Sequence, residues 1–361
     1  MDALFVCGFY ETGTDALFVC GFYEVGMDAL FVCGIRGFPV IHPIPPGTRD
    51  MLPDEMREVR AITEGLRQTF ESAGYGEVWT PALEYEEVLR AGDGAASKAG
   101  YRMFDEQGHV LALRSDMTIP IARVAATRYR AEGGPLRLCY FAHAYRSVGR
   151  GSGQQREFLQ AGAELIGVEG PGGEAEVIAL LLAALDRAGL ARHRIGLGDG
   201  ALYRHLLSNL EVPAEDHADL LERLSARDMV GLEMRVAQLG LPDSARRLLT
   251  RLPELRGGPG VLERASEAAG PSVEGLQTLY AALEDRGVAD RVIVDLGLVR
   301  DLSYYTGAVY EVYDPAVGFT LGGGGRYDDL IGSFGTPRPA CGVGLDVQRV
   351  HIARAAEERL R

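Results

Sequence analysis

The stretch YRSVGRGSGQQREFLQAGAEL, residues 145–165, decides how the rest of the chain is read. Its first part, Tyr145 to Arg156, holds three glycines and three arginines and lies between two strand-like segments. Glycine lets a backbone approach a ligand closely, and guanidinium forks suit phosphate or carboxylate. Composition alone reads the same residues as a flexible hairpin with solvated arginines. The second part alternates with period two, which puts Leu159, Ala161, Ala163 and Leu165 on one face and Gln160, Gly162 and Glu164 on the other. Alternation does not separate a solvated face from a ligand cleft. A glycine between Gln160 and Glu164 predicts room for something to lie against the sheet.

Two later stretches have the same character, Val299 to Gly307 and Leu321 to Asp329. The second contains four consecutive glycines followed at once by Arg326, Tyr327 and Asp328, an unusual choice for a strand unless a backbone or a ligand comes very close. The alternative is a floppy surface loop. Around these segments, Met56, Val59, Ile62, Leu66, Phe70 and Ala73 recur mostly at steps of three and four after Pro53, predicting an amphipathic helix closed by Gly74. Short β-branched or aromatic runs predict strands at 77–83, 109–114, 136–141, 291–296, 308–313 and 318–322. Residues 174–188 read as a heavily buried helix, and 341–345 as a final apolar run entering a C-terminal helix. Between residues 201 and 287 the composition shifts to Leu, Ala, Arg and Glu at helical spacing, which predicts a helical insertion domain. The core is then 40–200 with 288–361, and the fold class is α+β.

Residues 1–39 are three copies of a 13-residue unit built on ALFVC. Solenoid repeats need ~20 residues to make one supersecondary unit, so the copies are too short to stack. Asp rather than Lys or Arg precedes the apolar pentad, unlike a secretory leader. The segment is read as disordered or outside the native core, with an edge strand as the alternative.

Composition narrows the function. No apolar run reaches the ~18 residues of a membrane span, and a net charge of −14 argues against a broad face for nucleic acid. Cys139 and Cys341 stand alone, while Cys7, Cys20 and Cys33 belong to the repeat, so neither a zinc site nor a disulfide framework is indicated. A reducing cytoplasm fits that usage. There is no GxxxxGK[ST], HExxH or GxSxG, and the histidines are scattered.

Six segments in order resemble the catalytic core of a class II aminoacyl-tRNA synthetase, specifically the histidinyl one. They are Pro46-Gly-Thr-Arg-Asp50 with the first helix and Val78-Trp-Thr-Pro81, Arg114-Ser-Asp-Met-Thr118, Arg146 through Glu164, Leu298 through Gly307, Gly322 through Asp328, and Cys341 through Arg349. The resemblance implies an antiparallel sheet flanked by helices. It also implies a histidine pocket at Asp116, Thr118, Arg146, Gln160, Glu164, Arg300, Tyr304, Tyr305 and Tyr327, with a vestigial nucleotide side at Arg156, Phe158 and Arg349. The stretch matching motif 1 is expected at a twofold interface, with Trp79 and Pro81 between two chains.

The departures redirect the function. Val148 and Gln154 replace a Glu and an Arg that hold ATP in the family, and Asp301 and Ser303 replace a Gly and an Asp of the histidine signature. The chain ends 12 residues after Arg349, so no anticodon-binding domain is expected. A synthetase-like core with its amino-acid side kept and its nucleotide side eroded resembles the regulatory subunits of ATP phosphoribosyltransferase. That resemblance implies a non-catalytic role in the first step of histidine biosynthesis, with no cofactor or metal. The implied partners are a short-form catalytic subunit, a second copy of the chain, and L-histidine as effector, without tRNA or membrane. The competing readings are a truncated synthetase that still activates histidine, an RNA-binding scaffold, and a free histidine sensor.

Overall fold

In the computed structural model, which describes residues 4–12, 15–23, 44–93, 100–147, 155–299 and 304–361, the first two repeat copies pair with each other. Strands β1 (Leu4–Thr12) and β2 (Asp15–Tyr23) run antiparallel with Cys7 opposite Cys20. The chain divides into two units, Met1–Arg49 and Asp50–Arg361.

The second unit opens with α1 (Pro53–Ser72), which has Pro53 at its first turn and Asp54 and Glu55 behind it. Proline lacks the N–H that a first turn leaves unpaired, and acids there oppose the helix dipole. The helix buries Val59, Ile62, Leu66 and Phe70. Next come β3 (Gly76–Glu77), β4 (Leu83–Tyr85), α2 (Glu86–Asp93), β5 (Arg102–Phe104), β6 (Val110–Leu113) and α3 (Thr118–Arg128). Strands β4, β6 and β5 form a small antiparallel sheet. The expected strand at 77–83 is therefore split, with a non-strand stretch around Trp79 and Pro81. Arg114, 4% exposed, explains the shape of that stretch: its guanidinium donates to the carbonyls of Thr80, Pro81 and His143 at 2.7, 2.9 and 2.8 Å.

The long hairpin of β7 (Leu136–Tyr145) and β8 (Glu157–Ile166) follows, then α4 (Pro171–Arg187) and β9 (Arg194–Asp199). The helical stretch contains α5 (Leu202–Asn209), α6 (Ala214–Ser225), α7 (Met229–Gln238), α8 (Asp243–Arg251), the short strand β10 (Arg256–Gly257), α9 (Gly260–Ala269) and α10 (Glu274–Asp285). The chain closes with β11 (Val292–Asp295), β12 (Ala308–Tyr313), β13 (Thr320–Arg326), β14 (Ala340–Asp346) and α11 (Val347–Arg359).

The main sheet has the order β10-β11-β9-β12-β13-β14-β8-β7-β3. Its centre, from β9 to β7, is antiparallel, as the sequence predicts. The margins differ, because β11 runs parallel to β9 and β3 parallel to β7. The helical stretch is also not purely helical, since β10 adds an edge strand antiparallel to β11. Its Leu206, Leu224, Leu249 and Leu276 belong to one apolar cluster with Leu181 of α4 and Leu197 of β9.

The alternation in β8 sorts the two faces. Ala161, Ala163 and Leu165 join the cluster built on α1, α4 and α11. On the opposite face a second cluster gathers Met117, Ile119, Tyr140, Tyr304, Tyr305 and Tyr327. The four-glycine run lies within β13, between β12 and β14, and is not a surface loop.

Candidate ligand-binding site

Strand register brings the polar face of β8 between two neighbours. On β7, Ala142, Tyr140 and Leu138 stand opposite Gln160, Gly162 and Glu164. On β14 the opposing residues are Asp346, Gly344 and Gly342. The glycines are needed for close approach. A Cβ on Gly162 would stand 2.2 Å from the Tyr140 hydroxyl oxygen, one on Gly342 would stand 1.5 Å from a carboxylate oxygen of Glu164, and one on Gly344 would stand 2.4 Å from Nε2 of Gln160. The room predicted at Gly162 is therefore filled by the protein's own Tyr140, and the polar side chains lie flat on the sheet because their neighbours lack Cβ atoms.

Glu164 is the centre of the arrangement. It is 1% exposed and collects hydroxyls from three parts of the chain: Thr118 donates to Oε1 at 3.1 Å, Tyr140 lies 3.5 Å from the same oxygen, and Tyr327 donates to Oε2. Burial pushes its carboxyl up to about 8, and the nearby Asp116 carboxyl adds to the rise while the three hydroxyls oppose it. Asp116 is half-buried at the start of α3, accepting the Ile119 N–H at 3.3 Å. Its own pKa is raised by desolvation, against the pull of Arg146.

Gln160 completes the polar floor. Its Nε2 lies 3.5 Å from the Tyr140 hydroxyl, whereas its Oε1 is buried without a hydrogen-bond partner. A buried acceptor left unpaired is costly, so this oxygen suits an incoming N–H donor. Aromatic rings supply the walls. Tyr304 and Tyr305 have centroids 4.8 Å apart, and Tyr304 meets Tyr327 edge-on at 6.0 Å. Tyr327 is held by its neighbours: Arg326 makes a buried pair with Glu174 of α4, with Nε to Oε1 at 2.8 Å, and Asp328 accepts the Ala340 N–H at 2.9 Å.

The structure thus brings together Asp116, Thr118, Gln160, Glu164, Tyr304, Tyr305 and Tyr327. It adds Tyr140, which sequence reasoning missed: the signal was a tyrosine in an apolar strand, and only its register opposite Gly162 gives it meaning. Arg146 is exposed, with its guanidinium 4.6 Å above the Phe158 ring and its charge acting on Asp116. Its backbone N–H is bonded to the Arg156 carbonyl at 2.8 Å across the mouth of the loop. Arg349 is turned onto its own chain, donating to the Thr320 carbonyl at 2.8 Å and pairing with Asp346 at 3.4 Å. Of the three residues read as a nucleotide side, Phe158 carries the Arg146 guanidinium on its ring and Arg349 is engaged with Thr320 and Asp346. Arg300, Asp301 and Ser303, like Val148 and Gln154, lie outside the described residues. Among the described residues no group of three His, Cys, Asp or Glu could hold a metal ion.

Comparison with known proteins places this geometry. The histidyl-tRNA synthetase family model matches residues 47–350. A curated ATP phosphoribosyltransferase regulatory subunit from Moorella thermoacetica is 41% identical over 317 residues, covering 86% of this chain and 82% of that protein. A crystal structure of an ATP phosphoribosyltransferase regulatory subunit/histidyl-tRNA synthetase from Bacillus halodurans superposes with a TM-score of 0.81 at 34% identity, over 88% of this chain and 84% of that one. A histidine–tRNA ligase subunit from Alicyclobacillus acidocaldarius gives 0.76 at 33% identity, over 90% and 99% of the two chains.

Proposed function

We infer the function from descent: the chain belongs to the histidyl-tRNA synthetase family, among its ATP phosphoribosyltransferase regulatory subunits, and is a regulatory rather than a catalytic component of histidine biosynthesis. The identity of about two residues in five with such a subunit, over most of both chains, carries that conclusion. The finer assignments are proposals. The partner is the short-form catalytic subunit, the effector is L-histidine, and the pocket is the one around Glu164 and Gln160, with Arg300 meeting the ligand carboxylate. Two carboxyls, an unpaired amide oxygen and three tyrosine rings suit a ligand that is cationic, rich in N–H donors and partly aromatic. Histidine regulates by binding one quaternary state better than another, and the shift is limited to that difference in affinity.

Self-association has its own support. Trp79 is 92% exposed and Phe104 75%, with Leu83 and Tyr85 partly exposed nearby in sequence, and large aromatics in the open mark interaction surfaces. Among the described residues no helix is long and apolar enough to cross a membrane, and the cytoplasm is the proposed location.

Reconstitution tests the whole reading. Added to a short-form catalytic subunit, the chain is expected to be required for transferase activity and to make it inhibitable by histidine. The Glu164→Ala variant should bind histidine roughly tenfold to a hundredfold more weakly, from the ~1–3 kcal/mol of an unpaired buried donor. Transferase activity indifferent to the chain, or histidine-dependent exchange of pyrophosphate into ATP at a synthetase rate, refutes it in favour of a truncated synthetase.

A further inference from the structure

We propose that Arg204 of α5 is a positioning residue for the pocket, and that ligand binding is coupled through it to the seating of the helical stretch. This deepens the histidine reading and rests on it. Two aromatic walls of the proposed pocket, Tyr304 and Tyr305, lie on the connection between β11 and β12. Both described ends of that connection are fastened to the helical stretch or to the turn that opens it. At the far end the Arg204 guanidinium donates to the Tyr305 carbonyl at 2.6 Å, and the Gly200 N–H donates to the Gly307 carbonyl at 2.9 Å. A Cβ on Gly200 would stand 3.4 Å from the Cβ of Tyr305, so the turn between β9 and α5 lies directly against that residue. At the near end Asp295, 1% exposed, accepts from Arg227, between α6 and α7, at 3.0 Å, with Arg256 of β10 3.7 Å from the same oxygen. Its other oxygen accepts the Gly297 N–H at 3.1 Å, and the Leu296 N–H donates to the Leu255 carbonyl at 3.1 Å. A Cβ on Gly297 would stand 2.4 Å from the Pro253 carbonyl oxygen, which is how closely the helical stretch approaches here.

Tyr305 is held from two sides. Its carbonyl is drawn toward α5, and its ring covers Gly325 of β13, where a Cβ would stand 2.7 Å from Cδ1. With the ring against the strand, the guanidinium sets where Tyr305 stands, and with it Tyr304, whose ring centroid is 4.8 Å away. Leu206 and Leu207 of the same helix are buried in the apolar cluster that the helical stretch shares with α4 and β9, so Arg204 moves with the seating of these helices. Whatever seats them firmly fixes the two rings. A ligand held by the rings seats the helices in return, because coupling between two sites is reciprocal.

Titration calorimetry of L-histidine with the full chain and with its Arg204→Ala and Arg204→Lys variants tests this, alongside urea unfolding of all three. Arg204→Ala is expected to bind histidine about tenfold more weakly, from the loss of a charge-assisted hydrogen bond. Arg204→Lys is expected to recover most of that loss, because a single carbonyl acceptor does not need the guanidinium fork. A contact that serves stability alone would lower the unfolding midpoint and leave the affinity of the folded chain unchanged. Amide hydrogen exchange on the wild type needs no variant: saturating histidine is expected to slow exchange in α5 as well as in β8. Should Arg204→Ala fail to fold, that measurement decides. Wild-type affinity in a folded Arg204→Ala, or exchange in α5 indifferent to bound histidine, overturns the proposal and leaves the pocket assignment standing. A wild-type chain that binds no histidine overturns the pocket assignment, and the inference with it.

Discussion

Replacing Glu164 by Gln should stabilise the protein, and increasingly so as pH rises. In the unfolded chain a glutamate loses its proton near ~4.3. In the folded chain Glu164 keeps it to about 8, because burial disfavours the charge. Folding therefore takes up a proton between those values, and the folded state loses ~1.4 kcal/mol per pH unit across that window. The contribution is complete below the unfolded value and is lost as pH climbs through the folded one. From pH 5 to 8 the loss is about 4 kcal/mol, an upper figure because relaxation around an ionised group recovers part of it. Glutamine does not titrate, and its amide can still meet the hydroxyls of Thr118, Tyr140 and Tyr327. Asp116 is raised by desolvation too, but it is present in both proteins and largely cancels in their difference. Urea unfolding of wild type and variant at pH 5, 6, 7 and 8 measures that difference directly. It should grow from near zero to ~2–4 kcal/mol in favour of the variant, which should at the same time lose histidine binding. A difference that stays flat with pH would refute the reasoning, because it would mean Glu164 is ionised throughout.

Two further outcomes follow from other parts of the molecule. Glu174→Ala leaves the Arg326 guanidinium buried with one carboxylate fewer, which should cost ~3–5 kcal/mol in denaturant unfolding and loosen Tyr327 next to it; a loss under ~1 kcal/mol would show the pair to be dispensable. Trp79→Glu should shift the sedimentation mass of the chain toward the monomer at micromolar concentration without changing its circular dichroism, since the side chain is 92% exposed within one chain; an unchanged mass removes Trp79 from the interface.

Much of this was legible because it depended on local pattern. The stripe Val59, Ile62, Leu66 and Phe70 marks α1 by spacing, and period two sorts the faces of β8 correctly. The glycines of β13 were legible as abnormal but not as filled space, because their reason lies across the sheet. Gly324 has the Tyr310 ring over it, and Gly325 has that of Tyr305. Strand β9 gave no signal, since Gly196 and Gly198 interrupt a six-residue segment and lower its β-propensity. Its Gly196 is a place for the Tyr313 ring. The site was visible only as a set of separate motifs. Tyr327 reaches Glu164 from 163 residues away, and Tyr140 enters by strand register alone. Exposure of Trp79 was not readable either, because it follows from the clamp of Arg114 on the carbonyls of Thr80 and Pro81.

The contacts of Glu164 also show where a binding signal can leave the pocket. Tyr140 belongs to the main sheet, and Tyr327 follows directly on β13, so a shift in either must bend hydrogen-bonded strands. Thr118 is different, because it is the first residue of α3, a helix packed against the sheet rather than woven into it. Asp116 lies just ahead of it, so two residues of the proposed pocket fall on the same turn. Behind that turn α3 packs on α2, α2 packs on β4, and β4 carries the exposed Leu83 and Tyr85. If histidine binds as proposed and draws on the start of α3, this packing chain is the route by which it would reach the apolar residues of β4. Repacking of two helices costs less than deforming a hydrogen-bonded sheet, so a test of coupling belongs on this surface: the mass of the chain with and without histidine should differ if the proposed pocket and the proposed interface communicate.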